Sequence, residues 1–98
     1  MQRDTNFNIE LLFKALADPT RLRLIKLLGD EEACVCSCVE RLKTSQPKVS
    51  RHLAYLRRAG LVATRRDGKW VYYRLVVPSN PSALKIFREV REWLAAIP

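Results

Sequence analysis

Three observations predict a mainly α chain carrying a β-hairpin wing (α+β), that is, a winged helix-turn-helix. Apolar residues recur at helical spacing in several segments, one strongly basic segment is entered by a tight turn, and Asp67-Gly68 separates two β-rich runs.

In order along the chain, Phe7 to Ala17 carries Phe7, Leu11, Leu12, Ala15 and Leu16 on one face, which predicts an outer helix at about 7–17. Asp18 then reads as an N-cap with Pro19 at the first helical position. The second helix runs to about Leu28, buries Leu22, Ile25 and Leu28, and is expected to stop at Gly29. After the acidic Asp30-Glu31-Glu32, residues Cys36 to Leu42 form a third, short helix. Lys43-Thr44-Ser45 is the turn into a fourth, at about 46–59, with Ser45 as N-cap, Pro47 in the first turn and Gly60 as the stop. Val49, Leu53 and Leu56 form its buried stripe. At about 100° per residue Lys48, Arg51, Tyr55 and Arg58 fall on or near the opposite face, the layout of a recognition helix.

Val62 to Arg66 and Trp70 to Leu75 are the strands of the wing, about 62–75. Asp67-Gly68 is the expected two-residue turn, because both positions tolerate positive φ. After the breaks at Pro78 and Pro81, a second outer helix at about 82–97 repeats Leu84, Phe87, Val90, Trp93 or Leu94, and Ile97. The two outer helices are left to pack on each other and on a second subunit, so a homodimer is expected.

The chain has 98 residues, with 18 Lys plus Arg against 10 Asp plus Glu and a formal charge of +8. That length supports one domain, 1–98, and excludes a two-domain enzyme. The charge is concentrated. Arg41 to Arg74 holds ten basic residues and one acid, Asp67, for a net +9 over 34 residues and −1 over the remaining 64. So local an excess points to a polyanion-docking surface, most simply double-stranded DNA. Met1 to Ile9 has no basic region leading into an apolar run, and no stretch approaches the roughly 18 apolar residues of a membrane span. A reducing cytoplasm is expected, where Cys34, Cys36 and Cys38 are thiols or metal ligands before they are disulfides.

Four motifs in register carry a resemblance. Ala15-Leu16-Ala17-Asp18-Pro19-Thr20-Arg21-Leu22-Arg23, the pair Cys34-Val35-Cys36, Ser45 to Leu53 (SQPKVSRHL), and Gly68 to Leu75 (GKWVYYRL) resemble the ArsR/SmtB family of bacterial metal-sensing repressors. The similarity runs from about Phe7 to Leu75 and is nearest to the arsenite-responsive ArsR repressors. It implies a homodimer on an inverted-repeat operator, released when As(III) or Sb(III) binds as inducer, with no catalytic cofactor.

For DNA contacts, Gln46, Ser50 and His52 are expected at or near base edges. Ser45, Lys48 and Arg51 are expected on phosphates, and Arg65, Arg66 and Lys69 on outer phosphates. His52, the only histidine, has a plain alternative as a packed structural side chain, and Tyr55 and Tyr73 read equally as packing residues.

Soft thiolates suit thiophilic ions, and trigonal As(III) needs three sulfurs at one point. On a regular helix Cys34 and Cys38 lie about 40° apart while Cys36 points nearly opposite. Cys34, Cys36 and Cys38 therefore converge only where the local structure bends or unwinds, and that strains the helix supporting the recognition helix. In the arsenite sensors the third cysteine lies one residue later, where this chain has Val39. Cys38 as third ligand competes with a reading as a small buried residue.

A Cd(II)/Zn(II) or thiol-redox repressor of the same family is the nearest rival. A four-ligand zinc site is short of donors, since the first sixteen residues hold no Cys or His and the last helix has only Glu89 and Glu92. An enzyme is not expected: there is no Gly-rich anion loop, and the single His lies in the basic helix rather than beside a thiol.

Overall fold

A computed structural model of the chain describes residues 8–98. Its elements are α1 (Ile9–Leu16), α2 (Pro19–Asp30), β1 (Ala33–Cys34), α3 (Val35–Leu42), α4 (Gln46–Arg58), β2 (Val62–Asp67), β3 (Trp70–Leu75) and α5 (Pro81–Ala96). The order is that of a winged helix-turn-helix, as the sequence predicts. Phe7 lies outside the described residues.

Side-chain caps set where the helices start. Asn8, Asp18, Ser45 and Asn80 each accept from the backbone N–H three residues on, which satisfies an orphan donor at the head of α1, α2, α4 and α5. Proline in the first turn supports α2, α4 and α5. Lys43 ends α3 in the left-handed conformation (φ 54°) and its N–H returns to the Val39 carbonyl, which makes the sharp turn into α4.

Two boundaries differ from expectation. Gly29 does not end α2: Leu27 and Leu28 anchor the last turn in the core, the helix continues to Asp30, and extended Glu31 leads directly into β1. The wing turn is Gly68-Lys69, one residue later than Asp67-Gly68, because Asp67 pairs with Trp70 across the hairpin. Gly68 takes φ 61° at the first central position, the requirement of a type II′ turn.

The sheet order is β1-β3-β2, all antiparallel, with Ala33 opposite Tyr73 and Cys34 opposite Tyr72. β1 has no counterpart in the sequence reading. One core joins all the helices to the base of the wing. Val49, Leu53 and Leu56 of α4 are fully buried, together with Leu12, Leu24, Ile25, Leu61 and Phe87. Each such side chain contributes roughly 1.5–3 kcal/mol of burial, so the inner stripe holds α4 firmly and turns its polar face outward. In α2 the buried set is Leu24, Ile25, Leu27 and Leu28, whereas Leu22 is half-buried on the outer side. Ile9 and Phe13 of α1 and Trp93 and Ile97 at the end of α5 stay exposed, Trp93 at 75%. Among the described residues no helix is long and apolar enough to cross a membrane.

Candidate nucleic-acid interface and thiol site

The buried stripe of α4 leaves Gln46, Lys48, Arg51, Arg57 and Arg58 exposed, with Ser45 at the helix head and Ser50 half-buried beside them. Ser45 spends a lone pair on capping, since its Oγ accepts from the Lys48 N–H at 3.4 Å. Arg66 and Lys69 extend the basic surface along the wing, Lys69 lying 6.0 Å from the centre of the Trp70 ring, itself half exposed.

Two expected contacts are placed differently. The His52 side chain is only 13% exposed and turns inward: Nδ1 is 3.2 Å from Arg21 Nη1 and 3.8 Å from Asp18 Oδ2. Burial holds its pKa below the ordinary value against the pull of Asp18, with the Arg21, Arg51 and Lys48 charges acting the same way as burial. It packs as a neutral acceptor rather than standing at a base edge. Arg65, expected at the wing tip, forks onto Glu32 instead. Nη2 is 2.5 Å from Oε1, Nε is 3.3 Å from Oε2, and the guanidinium lies 4.7 Å over the Tyr72 ring. That hydrogen bond holds the Glu32 carboxyl below its usual range and raises Arg65. Arg65 ties the wing to the strand that carries Cys34.

The three thiols are dissimilar. Cys34 is the N-cap of α3, half-buried, its Sγ accepting from the Ser37 N–H at 3.4 Å. Cys36 is exposed. The neighbouring Cys36 thiol and the Ser37 N–H hold Cys34 below the usual thiol value, and the nearby Cys34 sulfur pushes Cys36 up. Cys38 is fully buried, and burial pushes its thiol up to about 11. The helical spacing explains this: Cys38 falls on the inner stripe of α3 with Leu42, while Cys36 points away. Among the described residues no group of three or more His, Cys, Asp or Glu side chains gathers in a way that could hold a metal ion. The folded arrangement thus brings Cys34 and Cys36 together and leaves Cys38 in the core.

Residues 18–64 match the family described as "Bacterial regulatory protein, arsR family". The arsenical resistance operon repressor of Escherichia coli is 52% identical over 79 residues, covering 80% of this chain and 68% of that repressor. This chain belongs to the arsR family.

The arsenic resistance transcriptional regulator ArsR1 of Pseudomonas putida is 56% identical over 66 residues, 66% of this chain, and that stretch spans about half (52%) of the relative's length. HlyU from Vibrio cholerae superposes with a TM-score of 0.69 at 35% identity, over 84% of this chain and 89% of that structure. The family is one of bacterial regulatory proteins.

Two residues that shape the site escaped the sequence reading, Arg21 and Glu32. Glu32 looked like one acid of a run. Arg21 sat in a recognised motif, but its partners lie on other helices. The thiol geometry yields a first prediction for this arsR-family chain. At neutral pH iodoacetamide should label Cys34 ahead of Cys36, because the lower pKa gives more thiolate, and should spare Cys38 until the protein unfolds. Time-resolved peptide mass mapping checks this; labelling of Cys38 as fast as Cys36 would show that α3 does not hold it inside.

Proposed function

We propose that this chain is a cytoplasmic, dimeric transcriptional repressor. In this reading α4 and the wing bind operator DNA, and As(III) or Sb(III) captured by the cysteines releases it. The observation that carries the proposal is the placement of two free thiols, Cys34 as N-cap and exposed Cys36, at the head of α3, the helix packed directly against the basic α4. The arsenical resistance repressors among its relatives support the choice of inducer.

Gln46 and Ser50 read base edges, Lys48, Arg51, Arg66 and Lys69 neutralise phosphates, and Ser45 caps the helix while facing the backbone. His52 and Arg65 are left out of the contact set. The exposed apolar residues Ile9 and Phe13, with Trp93 and Ile97, form the dimer face.

Inducer capture is a condensation without redox change. Each thiol gives its proton to a hydroxyl of As(OH)3, so one As–S bond forms, one As–O bond breaks and one water leaves per cysteine. Cys34 and Cys36 take the first two positions. The third sulfur, from Cys38, becomes accessible only when the first turn of α3 unwinds and the residue leaves the core. That movement removes a support of α4, and through the β1–β3 pairing and the Glu32–Arg65 fork it also displaces the wing. The inducer thereby favours a conformation unable to dock both half-sites.

The experiment is an anisotropy titration on an inverted-repeat duplex selected from a random library, with a scrambled duplex as control. Arsenite should release the selected duplex, whereas hydrogen peroxide acting alone would favour a Cys34–Cys36 redox switch. In the same assay Arg51→Ala should weaken binding about tenfold. The salt slope should fall by about 0.9 per lost phosphate contact, hence about 1.8 for a dimer. An unchanged slope removes Arg51 from the interface.

A further inference from the structure

Arg21 makes more directed contacts than any other described side chain, and they reach two other helices. Its Nε donates to the Ala15 carbonyl at 2.9 Å and its Nη2 to the Lys14 carbonyl at 2.7 Å. Both acceptors belong to the last turn of α1, where a cation is favoured by the helix dipole, and the Lys14 carbonyl also accepts from the Ala17 N–H at 3.2 Å. Its third nitrogen, Nη1, lies 3.2 Å from His52 Nδ1 on α4, and the guanidinium sits 4.2 Å over the Tyr55 ring, one turn further along the same helix. Its backbone N–H meanwhile donates to the Asp18 cap. A planar fork with fixed donor directions cannot satisfy α1 and α4 together unless the two helices keep one mutual geometry.

We propose that Arg21 is a positioning residue for DNA reading, which with His52 as its acceptor locks α4 to the end of outer helix α1. This rests on the reading of α4 as the DNA-binding helix. Movement of α1 is then passed to α4 through one side chain, and the tilt of α4 relative to its partner's copy decides whether both half-sites are met. Selective binding needs that tilt; phosphate attraction, carried by exposed Lys48, Arg51, Arg66 and Lys69, does not.

The chemistry supplies a readout that general destabilisation does not move. Accepting from Arg21 requires the Nδ1 lone pair, so Nε2 carries the proton in the neutral ring. A protonated His52 becomes a donor at Nδ1, repels Arg21 and turns to Asp18 Oδ2, 3.8 Å away. The charged groups facing His52 are Asp18 and Arg21 from α2 and Lys48 and Arg51 from α4. His52→Asn keeps an acceptor at the same place and cannot titrate; His52→Leu removes it.

The test measures affinity for the selected and the scrambled duplex at about pH 7.5 and about pH 5.5, beside thermal melting. Arg21→Ala and His52→Leu should each weaken the selected duplex about tenfold, leave the scrambled duplex within about twofold, and combine with no further loss. Arg21→Lys, which keeps the charge and loses the fork, should recover only part of the selectivity. Wild-type selectivity should fall at the lower pH, and that of His52→Asn should not. The inference is overturned by multiplicative losses in the double variant, or by the same pH course in wild type and His52→Asn. Should Arg21→Ala fail to fold, Arg21→Lys and the two His52 variants still decide. A wild-type protein that shows no preference for any duplex defeats the DNA-binding reading itself, whereas a preference untouched by Arg21→Lys and His52→Leu defeats only this inference.

Discussion

Cys34→Ser is expected to abolish arsenite-triggered release while leaving operator affinity within about twofold of wild type. Serine is itself a good N-cap, so its Oγ can accept from the Ser37 N–H and α3 keeps its start. What is lost is a thiophilic ligand at the centre of the site. Coupling between an inducer and DNA is usually 1–3 kcal/mol, so wild type should lose roughly 5–150-fold in operator affinity with saturating arsenite. Cys34→Ser and Cys36→Ser should show almost none of this. Cys38→Ala, which keeps the core apolar and small, separates two geometries. If the third sulfur is used, the arsenite dose response moves to much higher concentration; an unmoved response limits the site to Cys34 and Cys36. The assay is the anisotropy titration repeated across an arsenite series, and full release from Cys34→Ser would overturn the thiol site as assigned.

The second large effect is on stability. Phe87 is fully buried where α5 closes the core over α2. Removing a buried phenyl ring costs about 3–5 kcal/mol, the lost transfer energy plus the cavity left behind. A domain of this size has about 5–15 kcal/mol in all. Phe87→Ala should therefore lower the melting temperature by at least about 12 °C, at roughly 4–8 °C per kcal/mol. Trp93→Ala, six residues along the same helix but 75% exposed, removes almost nothing from its own core. Its effect should appear as weaker self-association, and with it loss of the concentration dependence of melting. Sedimentation velocity and thermal scans at two protein concentrations separate the cases. A core-sized loss for Trp93→Ala in the monomer would show that α5 is not oriented as described.

The legible parts of this protein are those governed by short-range rules. Ser45, Pro47 and Gly60 bracket α4 because caps and breakers act within a turn. Val49, Leu53 and Leu56 point inward because one face of one helix must be buried. The hairpin followed from β-rich runs around glycine, though its turn slid by one residue, since the cross-strand register chose Gly68 rather than Asp67 for the first central position. β1 was illegible for a different reason: two residues have no period, and Ala33-Cys34 is a strand only because β3 offers it hydrogen bonds.

The same division holds at the candidate site. The sequence alone determined the winged fold, the basic helix and wing, and the presence of three thiols beside them, because composition, periodicity and caps are properties of neighbouring residues. Only the tertiary structure decided which of those groups face outward together. Arg65 is held by Glu32, 33 residues away in sequence, and His52 is turned inward by Arg21, 31 residues away. Cys38 is withdrawn from Cys34 and Cys36 because the inner stripe of α3 must be filled. Such partners are brought together by packing between elements, where the hydrophobic core fixes helix orientation and each polar group must then satisfy itself with whatever that orientation supplies.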